Sequence, residues 1–308
     1  MITIVMPSRR KFIIQSSLAT GALLTSSRLI ASASDSIVRR AIPSTGEQIP
    51  VIGMGSWLTF DVERSVGRRA QMKRVLRAFW DNGGRVVDSS PMYGSSERVI
   101  GELADELGLD RLWVATKVWT NGQQNGINQV NDSNRYFDSM INLHQVHNLR
   151  DFEVHYETLK ELKEKGKLKY IGITHYLNSE HNHLLETLSS YELDFVQVNY
   201  NIQNPAAESR LLPYAQDNGI AVIINRPFQT GRLTQCVEHN TLPSWSEELG
   251  IQSWAQYMLK YIISHPAVTC VIPATTQVPH VIENLEAGKG ALPDMAQRKE
   301  MLDYYRSL

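Results

Sequence analysis

Short apolar runs alternate with segments of helical spacing over most of the chain. The runs have the length of buried strands and end at polar or turn residues, whereas the segments between them repeat apolar residues every three or four positions. This alternation predicts an α/β fold made of repeated strand–helix units. The predicted strands are Val51–Gly55, Val86–Asp88, Leu112–Val118, Ile141–His147, Tyr170–Thr174, Phe195–Tyr200, Ala221–Asn225 and Val268–Pro273.

Helices are predicted in the gaps between these strands. The first, Arg69–Trp80, stops before Asn82-Gly83-Gly84, a sequence typical of a helix end. Ahead of the first strand, Arg39–Pro50 has the pattern of a β-hairpin around a Ser-Thr-Gly turn. The other predicted helices cover 96–107, 123–138, 153–165, 179–189, 209–218 and 251–263.

The ends of the predicted strands recur at a nearly constant step of 23 to 30 residues, which is the length of one βα unit. Eight such units predict a single closed (β/α)₈ TIM barrel, with the N-terminal hairpin closing its bottom. The alternative is an open doubly wound sheet, but that fold usually has a G-x-G-x-x-G turn, of which Gly53-Met54-Gly55 is only a fragment. The strand ends that define the step are Asp88, Lys117, His147, Thr174, Gln197 and Asn225.

The composition is that of an ordinary globular protein. The 308 residues include 31 lysines and arginines against 32 aspartates and glutamates, and 42% are apolar. This balance gives no reason to expect a nucleic-acid partner, and no uncharged apolar run approaches the ~20 residues of a membrane span. Neither C-x-x-C nor H-E-x-x-H occurs, so no metal site is predicted. Cys236 and Cys270 are expected to be free thiols rather than a disulfide.

The first 33 residues differ from the rest. Residues 8–12, Ser-Arg-Arg-Lys-Phe, resemble a twin-arginine export signal, and an apolar run then leads to a possible cleavage site at Ala31–Ala33. The alternative is a basic N-terminus that arose by chance. We therefore expect residues 1–33 to be a signal peptide read by the twin-arginine export machinery, and residues 34–308 to form the barrel. The mature protein would be periplasmic, or cytoplasmic if the signal is not used.

Four side chains that can hold or move a proton fall at one end of the predicted barrel. Asp88, Lys117 and His147 end consecutive strands, and Tyr93 lies on the loop after the first of these strands. Catalytic groups of such barrels lie at the C-terminal ends of the strands. A phenol has a pKa of ~10, too high for efficient proton donation at neutral pH. A lysine ammonium beside the hydroxyl would lower that pKa, and a carboxylate would hold the ammonium in place.

These groups suit the delivery of one proton to a carbonyl oxygen while the carbon accepts a hydride, with His147 positioning the oxygen. No activated serine or cysteine indicates acyl transfer, and no carboxylate cluster indicates metal-dependent phosphoryl transfer. Because side chains cannot supply a hydride, the chemistry requires a redox cofactor. A barrel hydrolase or isomerase that uses Asp88 and His147 is the less favoured alternative.

The motifs around these residues resemble those of the aldo-keto reductases. Four of them occur in the family's order: D-S-S-P-M-Y-G-S-S-E from Asp88, A-T-K-V from Ala115, Q-V-H-N from Gln145 and G-I-T-H from Gly172. Each motif alone is weak, but the four together are highly specific. The resemblance extends from about residue 51 to residue 284, which is nearly all of the expected barrel.

The resemblance implies a role for each of the four candidates. Tyr93 would be the proton donor, Lys117 would tune its pKa, Asp88 would orient Lys117, and His147 would position the carbonyl. It also implies NAD(P)H-dependent reduction of a small aldehyde or ketone to an alcohol, in a protein whose usual form is a monomer. A nicotinamide-binding sensor or partner module on the same fold, with little turnover, is the alternative.

The resemblance further assigns residues to a nicotinamide cofactor that lies over the barrel mouth. They fall into groups near the nicotinamide, the pyrophosphate and the adenosine. The groups are Thr174, His175, Gln197, Asn225, Arg226, Pro227 and Phe228 near the nicotinamide, Gly231 and Arg232 at the pyrophosphate, and Thr275, Gln277, Glu283 and Asn284 at the adenosine.

The expected cofactor is NADP(H), with NAD(H) as the alternative. The family usually places lysine or arginine beside the 2′-phosphate of NADP, whereas this chain has Ala274, Gln277 and His280 in that segment. Charge-assisted hydrogen bonds worth ~1.5–3 kcal/mol each would be missing. The preference for NADP(H) is therefore expected to be weaker than in the family.

Two tryptophans are candidates for the substrate pocket. Trp57 follows the first strand and Trp119 follows Lys117, so both would line the barrel mouth; packing at the rim is the alternative. The long segment Gln235–Gly250, which contains Trp245, is expected to close over the site. A small aldehyde or ketone is the only substrate class that these residues indicate.

Overall fold

The computed structural model describes residues 36–138 and 141–308, in which strands and helices alternate along the chain. The predicted signal peptide, residues 1–33, lies outside the described residues. The strands are β1 (Arg39–Ala41), β2 (Gln48–Pro50), β3 (Met54–Gly55), β4 (Val86–Asp88), β5 (Trp113–Val118), β6 (Leu143–His147), β7 (Tyr170–His175), β8 (Phe195–Asn199), β9 (Ala221–Asn225) and β10 (Val268–Val271).

The helices cover the outside of the sheet and include every helix that the sequence pattern predicts. Three further helices, α7, α9 and α10, are additions to that prediction. The helices are α1 (Val66–Asp81), α2 (Ser96–Leu107), α3 (Gln123–Tyr136), α4 (Phe152–Glu164), α5 (His181–Ser190), α6 (Leu211–Asp217), α7 (Arg232–Val237), α8 (Trp254–Ile263), α9 (Val278–Glu286) and α10 (Met295–Ser307). Within the described part of the chain, none of them combines the length and the hydropathy of a bilayer span.

Strands β3 to β10 form one parallel sheet in which neighbours in sequence are neighbours in space. The first and last strands meet through a parallel bridge between Ile52 and Val271. The Gly53 N–H donates to the Val271 carbonyl at 2.8 Å. A Cβ at Gly53 would lie 2.9 Å from the Val86 carbonyl oxygen, so only glycine fits this junction. The sheet is therefore a nearly closed (β/α)₈ barrel, as the strand spacing predicts.

The hairpin β1–β2 closes the N-terminal end of the barrel, as predicted. Ile42 and Ile49 from this hairpin are almost fully buried against the first residues of the strands. The Tyr170 hydroxyl, inside the ring, donates to a Glu47 carboxylate oxygen at 2.7 Å and lies 2.6 Å from the Thr45 hydroxyl. The same cluster holds Val86, Trp113, Leu143, Phe195 and Ala221. This end is consequently a packed plug.

Alternation along each strand separates an inner from an outer layer. In β6, Leu143 belongs to the cluster inside the ring, whereas Val146 belongs to the larger core between the sheet and the helices. In β5, Trp113 and Ala115 lie in the inner cluster, and Lys117 continues the same face toward the C-terminal end. The inner layer therefore changes from apolar to polar along the barrel axis.

Candidate active site

A cavity of about 1080 Å³ opens at the C-terminal ends of the strands. The loops that follow the barrel strands supply its walls, as expected for this architecture. Most of the residues singled out from the sequence line it. They are Trp57, Asp88, Tyr93, Trp119, His147, Thr174, Gln197, Asn225, Arg226, Pro227, Phe228, Gly231, Thr275, Glu283 and Asn284.

Lys117 and Asp88 form a buried ion pair beneath the cavity. The Lys117 Nζ lies 2.6 Å from a carboxylate oxygen of Asp88 and 2.6 Å from the carbonyl oxygen of Ser89. Their side chains are 0% and 3% exposed, so no solvent competes for either charge. Burial is the largest single effect and acts to lower the pKa of Lys117, but the charges of Asp88, Tyr93 and Glu97 and the hydrogen bond to Asp88 together outweigh it, so the net shift is upward. Lys117 is therefore a fixed cation.

Two glutamines hold the other carboxylate oxygen of Asp88. Gln197 donates to it at 2.8 Å and Gln145 at 3.3 Å, across the interior of the ring. The Thr174 hydroxyl in turn donates to the Gln197 side-chain oxygen at 2.8 Å. Thr174 and Gln197 line the cavity as predicted, but these polar atoms already have partners inside the barrel. In the structure, Gln197 contacts Asp88 directly and Thr174 contacts it through Gln197.

Tyr93 lies between the ion pair and His147. Its ring centroid is 5.2 Å from the Lys117 ammonium, and its ring meets the imidazole of His147 edge-on at 5.9 Å. Burial raises the pKa of the Tyr93 phenol, the Lys117 charge acts to lower it, and the Asp88 charge raises it again. The net direction is upward, which differs from the lowered pKa expected from the sequence. Desolvation, which the sequence pattern does not report, is the larger effect.

His147 is a neutral imidazole at the floor of the cavity. Burial, reinforced by the nearby charge of Lys117, lowers its pKa to about 2. Its Nδ1 lies 3.1 Å from the hydroxyl of Ser90, a buried residue that the sequence analysis did not single out. The next residue, Asn148, also lines the cavity and has a left-handed backbone with φ of 53°.

Three residues of the predicted cofactor set do not line the cavity. His175 stacks on Tyr176 and accepts a hydrogen bond from the Leu177 N–H. Arg232 donates to the side chain of Gln203 at 2.9 Å on an exposed surface. Gln277 is exposed and precedes the first turn of α9. Contacts of these three residues with a cofactor stay predictions.

Several cavity residues carry polar atoms without a protein partner. Asn148 Oδ1, Asn225 Oδ1 and Arg226 Nε are buried and have no hydrogen-bond partner among the described residues. The Arg226 guanidinium lies 5.3 Å from the ring centroid of Tyr176, and its backbone is left-handed with φ of 50°. Because buried polar groups are normally hydrogen-bonded, these atoms are suited to a polar ligand.

The mouth of the cavity is apolar. Trp57 is 44% exposed, and the ring of Trp119 lies 6.5 Å from that of His147 with the Arg150 guanidinium 4.8 Å from its centroid. Sequence reasoning missed other apolar rim residues, which have no shared spacing because each lies on a different loop. They are Leu58, Met92 and Tyr176.

The segment Gln235–Gly250 only partly covers the site. Gln235 and Glu238 line the cavity. Trp245 lies in a 3₁₀ turn, Ser244–Leu249, and packs 6.0 Å from the ring of Tyr257. The predicted closure over the site is thus confined to the first part of the segment, and the partly buried Trp245 packs against the hydrophobic core instead.

The two cysteines are free thiols, as predicted, with Cys236 exposed and Cys270 buried. In the described ranges no group of three or more His, Cys, Asp or Glu side chains is arranged to hold a metal ion.

A model of the aldo/keto reductase family matches residues 51–299. This range includes all the strands of the barrel, β3 to β10, but not the N-terminal hairpin. The chain belongs to the aldo/keto reductase family. It is similar to aldo-keto reductase YhdN of Bacillus subtilis, with 29% identity over 220 residues, which are 63% of this chain and 64% of that protein. It is also similar to methylglyoxal reductase YeaE of Escherichia coli, with 26% identity over 244 residues, 77% of this chain and 84% of that protein.

A third relative of this aldo/keto reductase is an NADH-specific methylglyoxal reductase of Escherichia coli, 28% identical over 209 residues, 58% of this chain and 63% of that protein. The chain thus spans slightly less than two thirds of the Bacillus relative and of this one. Among solved structures, the fold is similar to an aldo/keto reductase of Klebsiella pneumoniae in complex with NADP and acetate. The TM-score is 0.71 at 24% identity, over 84% of this chain and 93% of that one.

Proposed function

We propose that this aldo/keto reductase uses a nicotinamide cofactor to reduce a small aldehyde or ketone to an alcohol. The observation that carries the proposal is the meeting of a phenol and a neutral imidazole above a buried ammonium–carboxylate pair. The cavity above them is at the upper end of the ~300–1,000 Å³ typical of ligand pockets, and so has room for a cofactor and a small substrate.

The residues of the cavity fit such a cofactor. Asn225 offers a buried amide oxygen without a partner, which suits a carboxamide N–H, and Arg226 offers an unpaired guanidinium Nε for a phosphate oxygen. The bound nicotinamide would supply the hydride that side chains cannot supply. These two residues, together with the loop at Gly231, would hold it against the floor of the cavity.

Tyr93 would donate the proton to the substrate oxygen. The phenol is protonated at neutral pH, and burial, which raises its pKa, makes donation depend on stabilising the phenolate that forms. Lys117, whose own pKa is raised, stays charged and would stabilise the phenolate that forms after transfer. His147 would donate a hydrogen bond to the same oxygen from its neutral ring and so fix its position.

The experiment that tests the proposal compares two tyrosine variants. Tyr93→Phe is expected to bind NADPH as wild type does but to lose turnover by about 10²–10⁴-fold, since one positioned proton donor is removed. Tyr170→Phe is the matched control, because it removes a hydroxyl from the opposite end of the same barrel. Binding is followed by quenching of tryptophan fluorescence, and turnover by NADPH oxidation with methylglyoxal and a panel of other carbonyls.

Two outcomes would contradict the proposal. If wild type binds NADPH but reduces no carbonyl of the panel, the sensor or partner module becomes the better interpretation. If neither NADPH nor NADH quenches the fluorescence of Trp57 and Trp119, which line the cavity, a hydrolase or isomerase is favoured instead.

The proposed cofactor is NADP(H), and NAD(H) is the alternative. Fluorescence titrations of wild type with NADPH and with NADH distinguish the two. The Klebsiella structure was solved with NADP, whereas the Escherichia relative is named NADH-specific. The part of the cavity wall formed by Thr275, His280, Glu283 and Asn284 contains a carboxylate and no lysine or arginine. We therefore expect only a small preference for NADPH over NADH in the dissociation constants, because a 2′-phosphate gains no fixed positive charge there.

We also propose that residues 1–33 direct export by the twin-arginine route to the periplasm. The support is the motif at residues 8–12 with the cleavage site that follows. Replacing both arginines, Arg9→Lys and Arg10→Lys together, is expected to retain the protein in the cytoplasm at full length. Equal periplasmic amounts of the variant and of wild type would contradict the proposal.

A further inference from the structure

We propose that the Ser90 hydroxyl donates a hydrogen bond to Nδ1 of His147 and thereby fixes the tautomer that carries its hydrogen on Nε2. Ser90 would be a positioning residue, since it acts through His147 and does not touch the reacting atoms. The expected effect of Ser90 on turnover rests on the proposed function, but the hydrogen bond itself can be tested without any turnover.

The geometry places the two side chains together in the wall of the cavity. Ser90 is fully buried, His147 is 6% exposed, and their Oγ and Nδ1 atoms lie 3.1 Å apart. The sequence brings them together because both lie at the C-terminal end of a barrel strand. Ser90 comes two residues after β4, and His147 is the last residue of β6. Since Nδ1 faces Ser90 and the ring lines the cavity, Nε2 is the nitrogen available to a ligand.

A count of hydrogens decides which atom donates. The Ser90 Oγ accepts a hydrogen bond from the Met92 N–H at 3.3 Å. If Nδ1 carried the hydrogen, Oγ would accept twice, and its own hydrogen would have no acceptor among the described residues. If Ser90 donates to Nδ1 instead, the hydroxyl hydrogen has an acceptor, Nδ1 has a donor, and the Met92 N–H keeps Oγ as its acceptor. The second arrangement is favoured, because a buried hydroxyl without an acceptor is costly.

The tautomer determines what His147 can do. A neutral imidazole has one nitrogen that donates and one that accepts, and burial keeps this imidazole neutral. A carbonyl oxygen can only accept. With its hydrogen on Nε2 the ring donates to that oxygen, whereas the other tautomer would present a lone pair and repel it.

The direct test is nitrogen NMR of the full protein labelled with ¹⁵N-histidine. The His147 signals are assigned by their loss in His147→Asn. We expect wild type to show Nδ1 without hydrogen and Nε2 with hydrogen. Ser90→Ala should move the Nδ1 resonance toward that of a nitrogen that accepts no hydrogen bond, and Ser90→Thr, which keeps a hydroxyl, should restore it.

Ser89→Ala is the matched control. Ser89 is the adjacent buried serine, and its hydroxyl bonds to Ser56 at 2.9 Å rather than to His147. Its loss is expected to leave the Nδ1 resonance of His147 unchanged. A wild-type Nδ1 that carries hydrogen, or a Ser90→Ala resonance equal to that of wild type, would overturn the assignment.

Kinetics provide the second readout. Ser90→Ala is expected to lower kcat by about threefold to tenfold, the size of one hydrogen bond, without changing KM for the cofactor. A lower kcat with an unmoved Nδ1 resonance would overturn the assignment, because Ser90 would then act on packing alone. A wild type that shows the expected Nδ1 pattern but no turnover would support the Ser90 assignment and overturn the proposed function.

Discussion

The two ends of the barrel are made by the same strands but bury different chemistry. At the N-terminal end, the rings of Trp113, Tyr170 and Phe195 pack with centroids 5.4–6.2 Å apart, and the hairpin covers them. At the C-terminal end, the pair Asp88 and Lys117 is buried under an open cavity. Burial of apolar side chains stabilises the first end by ~1.5–3 kcal/mol per residue, whereas burial of charge weakens the second.

The backbone shows the same contrast. In the described residues, seven of the eight non-glycine residues with positive φ lie in loops after β3, β6 or β9, all at the cavity end. A left-handed conformation costs about 1–2 kcal/mol per residue. The seven are Leu58, Asn148, Leu149, Asp151, Arg226, Gln229 and Thr230. Left-handed backbone is thus concentrated in the loops at the cavity end, as is common for strained residues of functional sites.

Removal of the buried cation should destabilise the cavity end more than any other single change. Lys117→Met leaves the Asp88 carboxylate buried without a counter-charge, so we expect a loss of about 3–5 kcal/mol in the free energy of unfolding. The measurement is urea denaturation at pH 7. The double variant Lys117→Met, Asp88→Asn, which removes both charges but keeps an amide oxygen to accept from Gln197, should recover most of that stability but no turnover. A single variant as stable as wild type would show that the buried Asp88 carboxylate does not need Lys117 as its counter-charge.

A cavity in the plug should have the opposite consequence. Ile42→Ala removes a fully buried side chain of the hairpin region, and we expect a loss of about 2–5 kcal/mol in the free energy of unfolding. Turnover per folded molecule should stay at the wild-type value at 20 °C. A variant that unfolds like wild type but has a lower kcat would contradict the idea that the hairpin end contributes to stability and not to turnover.

Glu97 makes the stability of the cavity end depend on pH. It lies behind Lys117 near the cavity end, almost fully buried, and its carboxylate accepts hydrogen bonds from Thr116 and Ser133. Burial raises its pKa to about 7, above the ordinary value of ~4.3. The folded state therefore keeps a proton that the unfolded state releases, so the contribution of Glu97 to stability falls as the pH rises from about 4.5 to about 7.

Glu97→Gln should remove this dependence and keep both hydrogen bonds through the amide oxygen. We expect the variant to be more stable than wild type by about 3 kcal/mol at pH 8 and similar to it at pH 4.5. The measurement is the urea midpoint at the two pH values. A wild-type protein whose stability rises over this interval in step with the variant's would contradict the assignment to Glu97.

The smallest expected effect comes from one hydroxyl at the plug. Tyr170→Phe removes the hydrogen bonds to Glu47 and Thr45 and should cost about 1 kcal/mol in the free energy of unfolding. Calorimetry should show a lower Tm at unchanged kcat. A fall in kcat without a change in Tm would contradict the prediction, because it would show that this hydroxyl affects the reaction at the other end of the barrel and not stability.

Periodicity was sufficient to predict the barrel and the positions of Asp88, Lys117 and His147, because a strand end is visible as the point where an apolar run stops. It could not predict partners across the ring. Gln145 and Gln197 reach Asp88 over 57 and 109 residues of sequence, and apolar spacing reports burial rather than the neighbour that shares it. Desolvation of Tyr93 was missed for the same reason, since it depends on loops from several strands.

The bridge between Ile52 and Val271 joins the first and last strands of the barrel, which are far apart in the sequence. A ribosome must release nearly the whole polypeptide before the ring can be completed, and until then β3 keeps an unpaired edge. Such edges recruit other chains. A message truncated shortly before Val271 would therefore yield an aggregation-prone polypeptide rather than a smaller working enzyme.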